Sequence, residues 1–95
     1  MKYKNPYYKK IKNSRPLMIR CGACKKDLFK YQKIGVGNLK RMHLPRIIDS
    51  EINLQDPPQD LACPQCGHLM GHLVSLPNNL AYRMLKGHFN SVWIK

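Results

Sequence analysis

Two short motifs decide the fold of this chain: Cys21-Gly22-Ala23-Cys24 and Cys63-Pro64-Gln65-Cys66-Gly67. Thirty-eight residues separate the two C-x-x-C pairs, which account for all four cysteines of the 95-residue chain. A C-x-x-C turn lets two thiolates from one loop converge on a single ion while backbone N–H groups of the turn point at the sulfurs. Two such turns supply a tetrahedral ligand set. The pattern therefore predicts one structural Zn²⁺ held by Cys21, Cys24, Cys63 and Cys66.

The residues around the two pairs differ. Gly67 directly follows Cys66 and permits the left-handed backbone conformation that closes such a turn, and Pro64 stiffens its start. The first motif has Lys25 at the position equivalent to Gly67 and so departs from the C-x-x-C-G form. Lys25 and its neighbour Lys26 are expected instead to place positive charge beside an anionic metal site.

Other uses of four cysteines fit the pattern less well. A thioredoxin-like redox site has one C-x-x-C at the end of a strand that opens a helix, whereas both pairs here lie among turn residues. Two disulfides fit the count but not a reducing cytosol, where paired cysteines more often bind metal or carry out redox chemistry. His68 and His72 follow Cys66 closely and can replace a cysteine ligand, but four cysteines already complete the shell.

Metal binding is expected to decide the stability of so short a chain. A chain of 95 residues buries a modest fraction of its surface, and its expected free energy of unfolding is about 5–14 kcal/mol. A structural zinc ion contributes on the order of 10–16 kcal/mol of apparent binding free energy at neutral pH. We therefore expect the domain to be unfolded without its metal.

Positive charge dominates the composition and is unevenly distributed. The chain has 17 Lys and Arg against 5 Asp and Glu, for a formal net charge of +12. Residues 1–46 hold fourteen of the cations and one acid, whereas residues 47–62 hold four acids and no cation. This imbalance predicts a polyanionic partner that meets the first half of the chain.

Residues 1–18 are predicted to form a basic N-terminal extension, separate from a domain over residues 19–95. The extension interleaves lysines with tyrosines and two prolines, and it has too few aliphatic side chains to pack a core. Cations suit phosphates and aromatic rings suit unstacked bases, so the composition is typical of nucleic-acid binding. A solvated tail that only raises solubility is the alternative.

No membrane segment is predicted, because no apolar run approaches the roughly 18 residues that span a bilayer. The start of the chain is charged but lacks the apolar region of a secretory signal. Transit peptides are rich in arginine and serine, whereas this segment is rich in lysine and tyrosine. A cytoplasmic location is expected.

Strands rather than helices are predicted after the first cysteine pair. Residues 28–34 and 39–44 read as two strands joined by a glycine turn at 35–38, which makes a basic hairpin projecting from the first cysteine turn. Residues 45–62 contain three prolines and four acids and fit a loop that returns the chain to the second pair.

A second hairpin is predicted after the second pair. Residues 72–76 form a strand, and residues 80–85 and 89–94 pair with each other; a helix over 79–86 is the alternative. Tyr82, Phe89 and Trp93 contribute to a small core. The predicted fold is a small β-rich zinc ribbon, in which two knuckle-bearing β-hairpins surround one four-cysteine zinc site and a basic extended tail precedes them.

Several stretches also match one known pattern. They are residues 19–24, 31–37, Leu39, Arg41, Arg46-Ile47 and 61–67. Together they resemble the small, largely uncharacterised four-cysteine zinc-ribbon proteins of bacteria and archaea, over about residues 19–70. Cysteine often occupies the position of Met42 in that group, so the chain departs from the pattern there. The resemblance implies the four cysteines as ligands and implies no activity, because ribbons serve ribosomal, transcriptional and enzyme-accessory roles alike.

These features favour a non-enzymatic RNA-binding protein, most simply a ribosomal or ribosome-associated protein that contacts rRNA. The expected partners are RNA, the ribosome and neighbouring ribosomal proteins, with no membrane and no small-molecule substrate. Cations would contact phosphates and tyrosines would stack on bases. The residues expected to contact nucleic acid are Lys2, Lys4, Tyr7, Tyr8, Lys9, Lys10, Lys12, Arg15, Arg20, Lys30, Lys33, Lys40, Arg41 and Arg46.

Two other functions use the same residues differently. In a transcription-associated or DNA-binding ribbon the cations would follow a duplex backbone, although no amphipathic recognition helix is apparent. In a protein–protein adaptor the acidic residues 47–62 and the C-terminal hairpin would form the interface. An enzyme is not predicted, because the chain lacks paired carboxylates and a Ser/His/Asp set and every cysteine is assigned to metal. Roles for His43, His68, His72 and His88 stay open.

Overall fold

The regular elements of the described residues are nine short β-strands and one 3-10 turn. The computed structural model describes residues 1–35 and 37–94; Val36, in the predicted glycine turn, and Lys95, in the predicted C-terminal domain, lie outside the described residues. In chain order the elements are β1 (Tyr3–Lys4), β2 (Ser14–Cys21), β3 (Asp27–Ile34), β4 (Arg41–His43), a 3-10 turn (Leu44–Arg46), β5 (Ile47–Ser50), β6 (Asp60–Ala62), β7 (Leu69–Ser75), β8 (Leu80–Met84) and β9 (Phe89–Trp93).

The strands form two antiparallel sheets. The first has the order β1-β5-β3-β2-β9 and the second the order β4-β8-β7-β6. The chain passes from one sheet to the other between β3 and β4, β4 and β5, β5 and β6, and β8 and β9. Neither sheet is therefore built from one continuous stretch of chain.

The hydrophobic core lies between the two sheets. Successive side chains of a strand point to opposite faces, and on β2 the buried ones are Leu17, Ile19 and Cys21, none more than 4% exposed. From the second sheet, Met42, Met70 and Tyr82 are fully buried in the same cluster.

Tyr31 connects the sheets through a polar contact as well as through packing. It lies on β3 and is fully buried, and its hydroxyl accepts a hydrogen bond from the backbone N–H of His43 on β4, at 2.9 Å. Burial raises the pKa of Tyr31, so the hydroxyl stays neutral and can keep this bond. One side chain thus ties the central strand of the first sheet to an edge of the second.

A β-rich fold was predicted and is confirmed, but the predicted partner of the strand over 28–34 is wrong. β3 pairs with β2 on one side and β5 on the other, whereas β4, within the predicted return strand 39–44, pairs with β8 in the second sheet. The physical reason is length and burial. The eight-residue β3 is buried over much of both faces, and the three-residue β4 cannot cover it.

The predicted second hairpin is also wrong in its pairing, although both of its strands exist and the helical alternative over 79–86 is excluded. β8 pairs with β7 and β4, and β9 crosses to the first sheet and pairs with β2. Phe89 and Trp93 lie opposite Cys21 and Leu17 there, so crossing lets these two rings pack against the core. The hairpin that does form in this region joins β7 to β8.

Residues 45–62, predicted as a loop, contain β5 and β6. Ile47 is fully buried and lies opposite Tyr31 of β3. The prolines and acids that suggested a loop occupy mainly the connection between the two strands. Ile47, the first residue of β5, is buried in the core and so places β5 in the sheet.

The N-terminal residues lie against the body of the protein. β1 pairs with β5, and the predicted boundary at residue 18 falls inside β2, which lies between β3 and β9. The radius of gyration is 12.1 Å, close to the ~12.4 Å of a compact chain of this length. Residues 1–13 therefore do not project as a long free tail.

No helix among the described residues is long and apolar enough to cross a membrane.

Candidate metal centre and basic surface

Each pair of cysteines lies in the turn that joins two antiparallel strands. Cys21 ends β2, and Cys24 lies in the turn before β3. Cys63 follows β6, and Cys66 lies in the turn before β7. Because the two hairpins belong to different sheets, the four cysteines meet where the ends of the two sheets approach each other.

The four sulfur atoms form one tight cluster, all within 4.8 Å of one another. Cys21 Sγ lies 3.5 Å from Cys66 Sγ, and Cys24 Sγ lies 3.6 Å from Cys63 Sγ. Sulfurs at the corners of a regular tetrahedron with metal–sulfur bonds of ~2.3 Å are about 3.8 Å apart. All four cysteines are free rather than bridged, so the predicted cluster is confirmed and can hold one metal ion.

The backbone of the two turns follows the same hydrogen-bond pattern. In each turn the first cysteine donates its N–H to the carbonyl five residues later and accepts from the N–H four residues later. The bonds are Cys21 N to Lys26 O (3.0 Å), Lys25 N to Cys21 O (3.1 Å), Cys63 N to His68 O (2.9 Å) and Gly67 N to Cys63 O (2.8 Å). The two half-sites are therefore structural copies of each other despite their different sequences.

Lys25 occupies the position that Gly67 holds in the second turn. Its φ is +66°, against +79° for Gly67, so a residue with a β-carbon adopts the left-handed conformation at a cost of roughly 1–2 kcal/mol. Its ammonium group donates a hydrogen bond to the carbonyl of Gly22 at 2.9 Å. The Lys25 side chain therefore bridges the cysteine turn in addition to the backbone bonds.

The surroundings of the thiols shift the pKa values of Cys21 and Cys66 in opposite directions. Burial would raise the pKa of Cys21, but hydrogen bonds from the backbone N–H groups of Cys24 and Ala23, and then from neighbouring thiols, lower it to about 7. For Cys66, the backbone N–H of His68 lowers the pKa, but desolvation and the other three cysteines outweigh it and raise the pKa to about 12. A cation among the sulfurs removes this conflict, because coordination deprotonates the thiols.

None of the histidines belongs to the group of potential metal ligands formed by the cysteines. The cluster of possible ligands comprises cysteines alone. His68 stacks on His88 with ring centroids 5.2 Å apart, and His88 Nδ1 lies 2.9 Å from the carbonyl oxygen of Leu69. His72 pairs with Asp60 at 3.0 Å.

The first cysteine turn also packs against the connection between β8 and β9. The N–H of Gly22 donates to the carbonyl of His88 at 3.1 Å. A β-carbon on Gly22 would overlap that carbonyl oxygen. The glycine is therefore required by close backbone approach.

The predicted nucleic-acid residues fall into groups with different surroundings. Arg20 is ion-paired with Asp27, and Lys4 and Lys30 each lie opposite Asp49 across the sheet. The side chains of the N-terminal group are exposed, with Tyr7 73% exposed and Tyr8 42%; the group is Lys2, Tyr7, Tyr8, Lys9, Lys10 and Lys12. The remaining group has five members. Arg15 and Lys33 lie at the end of β2 and β3 that is opposite the cysteines, and Lys40, Arg41 and Arg46 lie just before β4, on β4 and in the turn after it.

Like charges face each other across strands in this last group. Arg15 on β2 lies opposite Lys33 on β3, and Arg41 on β4 lies opposite Arg83 on β8. None of these four cations forms an ion pair with an acid of residues 1–35 and 37–94. Directly opposed like charges destabilise a sheet, so the fold keeps these pairs at a cost in stability.

Sequence reasoning missed three residues of this surface. Arg83 and Lys86 come from a segment with few charges, and only the strand register shows that Arg83 faces Arg41. Trp93 was assigned to the core, but the guanidinium of Arg15 lies over its ring, 4.4 Å from the centroid. The sequence shows the aromatic residues Phe89 and Trp93, but it does not indicate that β9 pairs with β2.

Comparison of the chain with protein-family models, with curated proteins and with solved structures gives no match. The likeness to four-cysteine zinc-ribbon proteins therefore stays a prediction.

Proposed function

We propose that this chain is a zinc-ribbon protein that binds RNA without catalysing a reaction, as a cytoplasmic component or partner of the ribosome. The observation that supports the proposal is two like-charged pairs placed opposite each other across strands, Arg15 with Lys33 and Arg41 with Arg83. An anion bound between two such cations would offset the repulsion that the folded protein otherwise retains. RNA carries one phosphate per nucleotide, so a single RNA molecule can supply an anion to each of the two pairs.

Zinc is the metal that the donor set supports best. Four thiolates in a tetrahedron suit zinc or an iron–sulfur centre, and two turns built on one pattern are typical of structural zinc sites. The metal would hold the β2–β3 and β6–β7 hairpins together and take no part in chemistry, because four protein ligands leave no open position.

Charge separation supports a defined RNA-binding surface rather than general stickiness. Acids accompany cations near the cysteine end, where Asp27 pairs with Arg20 and Glu51 with Lys26. Six positions of β2, about 20 Å of extended chain, separate Cys21 from Arg15 at the opposite end. The opposed cations Arg15 and Lys33 thus lie at the end of the first sheet away from the cysteines, where phosphates would bind.

Salt dependence of binding tests the proposal. If about six phosphates are neutralised, log affinity should fall against log salt concentration with a slope of about −4 to −5. Native protein should also sediment with ribosomal particles at moderate salt and leave them at high salt. A slope near zero in filter binding, or native protein that stays free of the particles at every salt concentration, would overturn the proposal.

The two alternative functions give different results in the same assays. Duplex DNA that competes better than ribosomal RNA would indicate a DNA-binding ribbon. A protein adaptor would keep its partner after Lys33→Glu combined with Arg41→Glu, whereas the proposed RNA contact would be lost.

A further inference from the structure

A cleft of about 890 Å³ opens beside β9. One wall is the core-side face of β9, with Phe89, Ser91 and Trp93, next to Leu17 of β2. The other walls are residues 37–40, which lead into β4, and Met84, Lys86 and Gly87 at and after the end of β8. The cleft therefore exists because β9 crosses to the first sheet beyond the cover of the second.

The lining combines aromatic rings with cations. Lys33, Lys40 and Lys86 contribute to the walls, and no acid lines the cleft within the described part of the chain. Arg15 stands at the rim, because it lies over the Trp93 ring and opposite Lys33. A cleft of this size is within the range of small-molecule sites, and its charge selects an anionic occupant.

We propose that this cleft receives one unpaired nucleotide of an RNA strand. The base would stack at the Arg15–Trp93 pair, because unstacked bases pack on aromatic rings and on guanidinium planes. The flanking phosphates would lie at Lys33, Lys40 and Lys86. This inference rests on the proposed RNA-binding function and adds that the strand must be single at the point of contact.

The distribution of the residues supports a nucleotide rather than a phosphate alone. Cations without rings would suffice for a backbone contact, whereas a nucleotide also needs a surface on which its base can stack. At the cleft, three lysines surround partly buried aromatic side chains, Phe89 and Trp93. Rings and cations interleaved at one groove are the arrangement that binds single-stranded nucleic acid.

Trp93 allows a direct test, because it is the single tryptophan of the chain. The metal-loaded full-length protein is titrated with a short oligouridylate, with duplex RNA of equal length and with heparin, a polyanion without bases. Quenching of Trp93 fluorescence by the oligouridylate, and not by heparin, is expected. Equal quenching by heparin or by the duplex would overturn the inference.

Paired variants separate the cleft from the rest of the basic surface. Lys40→Ala with Lys86→Ala removes two charges at the cleft, and Lys2→Ala with Lys4→Ala removes two outside it. The cleft variant is expected to lose the larger share of oligouridylate affinity. Arg15→Lys keeps the charge but removes the plane, and a loss of about 5- to 150-fold in affinity is expected, with heparin binding unchanged.

Failure of this inference differs from failure of the proposed function. Salt-dependent RNA binding with unchanged Trp93 fluorescence, and equal losses in the two double variants, would refute the cleft as the nucleotide site and leave the RNA-binding proposal intact. No salt-dependent RNA binding at all would refute both.

Discussion

Two glycines of the cysteine turns are needed for different physical reasons. Gly67 has a φ of +79° but open space around the place of a β-carbon, whereas Gly22 has an ordinary φ and no space at all. The first is a matter of backbone conformation, and the second is a matter of contact with the backbone of His88. Alanine at each position separates the two effects.

We expect Gly67→Ala to lower the free energy of unfolding by roughly 1–2 kcal/mol, the cost of the left-handed conformation for a residue with a β-carbon. Gly22→Ala should cost about 3 kcal/mol or more, because the backbone of His88 must move and its hydrogen bond to Gly22 is weakened. Chemical denaturation of the metal-loaded proteins measures both. Equal losses would contradict the packing of the first turn against the β8–β9 connection.

His43 gives the stability a pH dependence of known sign. Desolvation by burial, with Arg46 and Arg41 nearby, lowers the pKa of His43 below its ordinary value, and its Nδ1 lies 3.1 Å from Asn79 Nδ2. The unfolded chain therefore binds a proton more readily than the folded one. Stability should fall as the pH drops below about 6.5.

Thermal melting of the protein and of His43→Gln between about pH 7.5 and 5.5 isolates this contribution, since glutamine does not titrate. Loss of metal at low pH affects both proteins alike. The unmodified protein should lose more stability over this range. A steeper loss in the variant would show that the histidine is not desolvated.

The ligand cysteines could be predicted from the sequence because their chemistry depends on spacing within a turn of four residues. The conformation of Lys25 could not, because a lysine carries no local preference for positive φ. The roles of Asn5 and Gln32 could not be predicted either. Their buried amides bond to partners far away in the chain, and an isolated polar residue does not indicate such partners.

At the scale of elements, the N-terminal segment depends on two buried amides. Asn5 Nδ2 donates to the carbonyls of Leu44 and Ile47, at 2.9 Å each. Gln32 Nε2 donates to the carbonyl of Lys9 at 2.8 Å, and its Oε1 accepts from the N–H of Ile11 at 3.0 Å. These side chains satisfy backbone groups of a segment that has little apolar surface to bury.

Gln32→Leu should release residues 6–13 and cost about 1–3 kcal/mol, because it leaves backbone groups of Lys9 and Ile11 without their partner. Hydrogen exchange at the Ile11 amide reports the release. Gln59→Leu is the matched control, since Gln59 is exposed and makes one such bond, to Leu73, and it should change stability by no more than about 0.5 kcal/mol. An Ile11 amide that stays protected in Gln32→Leu would contradict this account.

Strand existence was predictable over most of the chain, but strand pairing was not. The apolar alternation around Phe29, and again around Tyr82, indicates a strand whatever its partner. Which strand lies alongside depends on how much surface each partner covers, and this is settled by residues far apart, as when Leu17 meets Trp93. The sequence-based predictions that β3 pairs with β4 and that β8 pairs with β9 were therefore wrong.

Lys33→Glu tests the conflict between stability and function on β3. It turns the opposed pair with Arg15 into an attractive one, so we expect stability to rise by about 0.2–1 kcal/mol while RNA affinity falls. Arg20→Glu makes the same change of charge but breaks the pairing with Asp27, and should lower stability. Denaturation and filter binding on both variants would disprove the idea if Lys33→Glu were the less stable of the two.

For the whole molecule, a metal ion bound at the four cysteines would join the two sheets. Cys21 and Cys24 belong to a hairpin of the first sheet, and Cys63 and Cys66 to a hairpin of the second. A structural zinc ion contributes on the order of 10–16 kcal/mol, as much as the whole stability of a small domain. We expect the core between the sheets to be too small to replace it.

Removing the metal with a chelator should abolish cooperative thermal unfolding and the near-ultraviolet circular dichroism signal, and added Zn²⁺ should restore both. Cys24→Ser should weaken Co²⁺ binding and shift the absorption of the Co²⁺-loaded protein, as expected for the loss of one thiolate. A metal-free protein with a sharp melting transition would show that the core is sufficient by itself.

The crossing of β9 has a consequence for the route by which the protein folds. Cys21 lies opposite Phe89, which comes 68 positions later in the chain, and closing so long a loop makes folding slow. The two cysteine turns, by contrast, close through bonds over four and five residues and can form early. Capture of one metal ion by both turns would bring β2 and β7 together before β9 arrives, so the rate of folding, and not only the final stability, should rise with metal concentration.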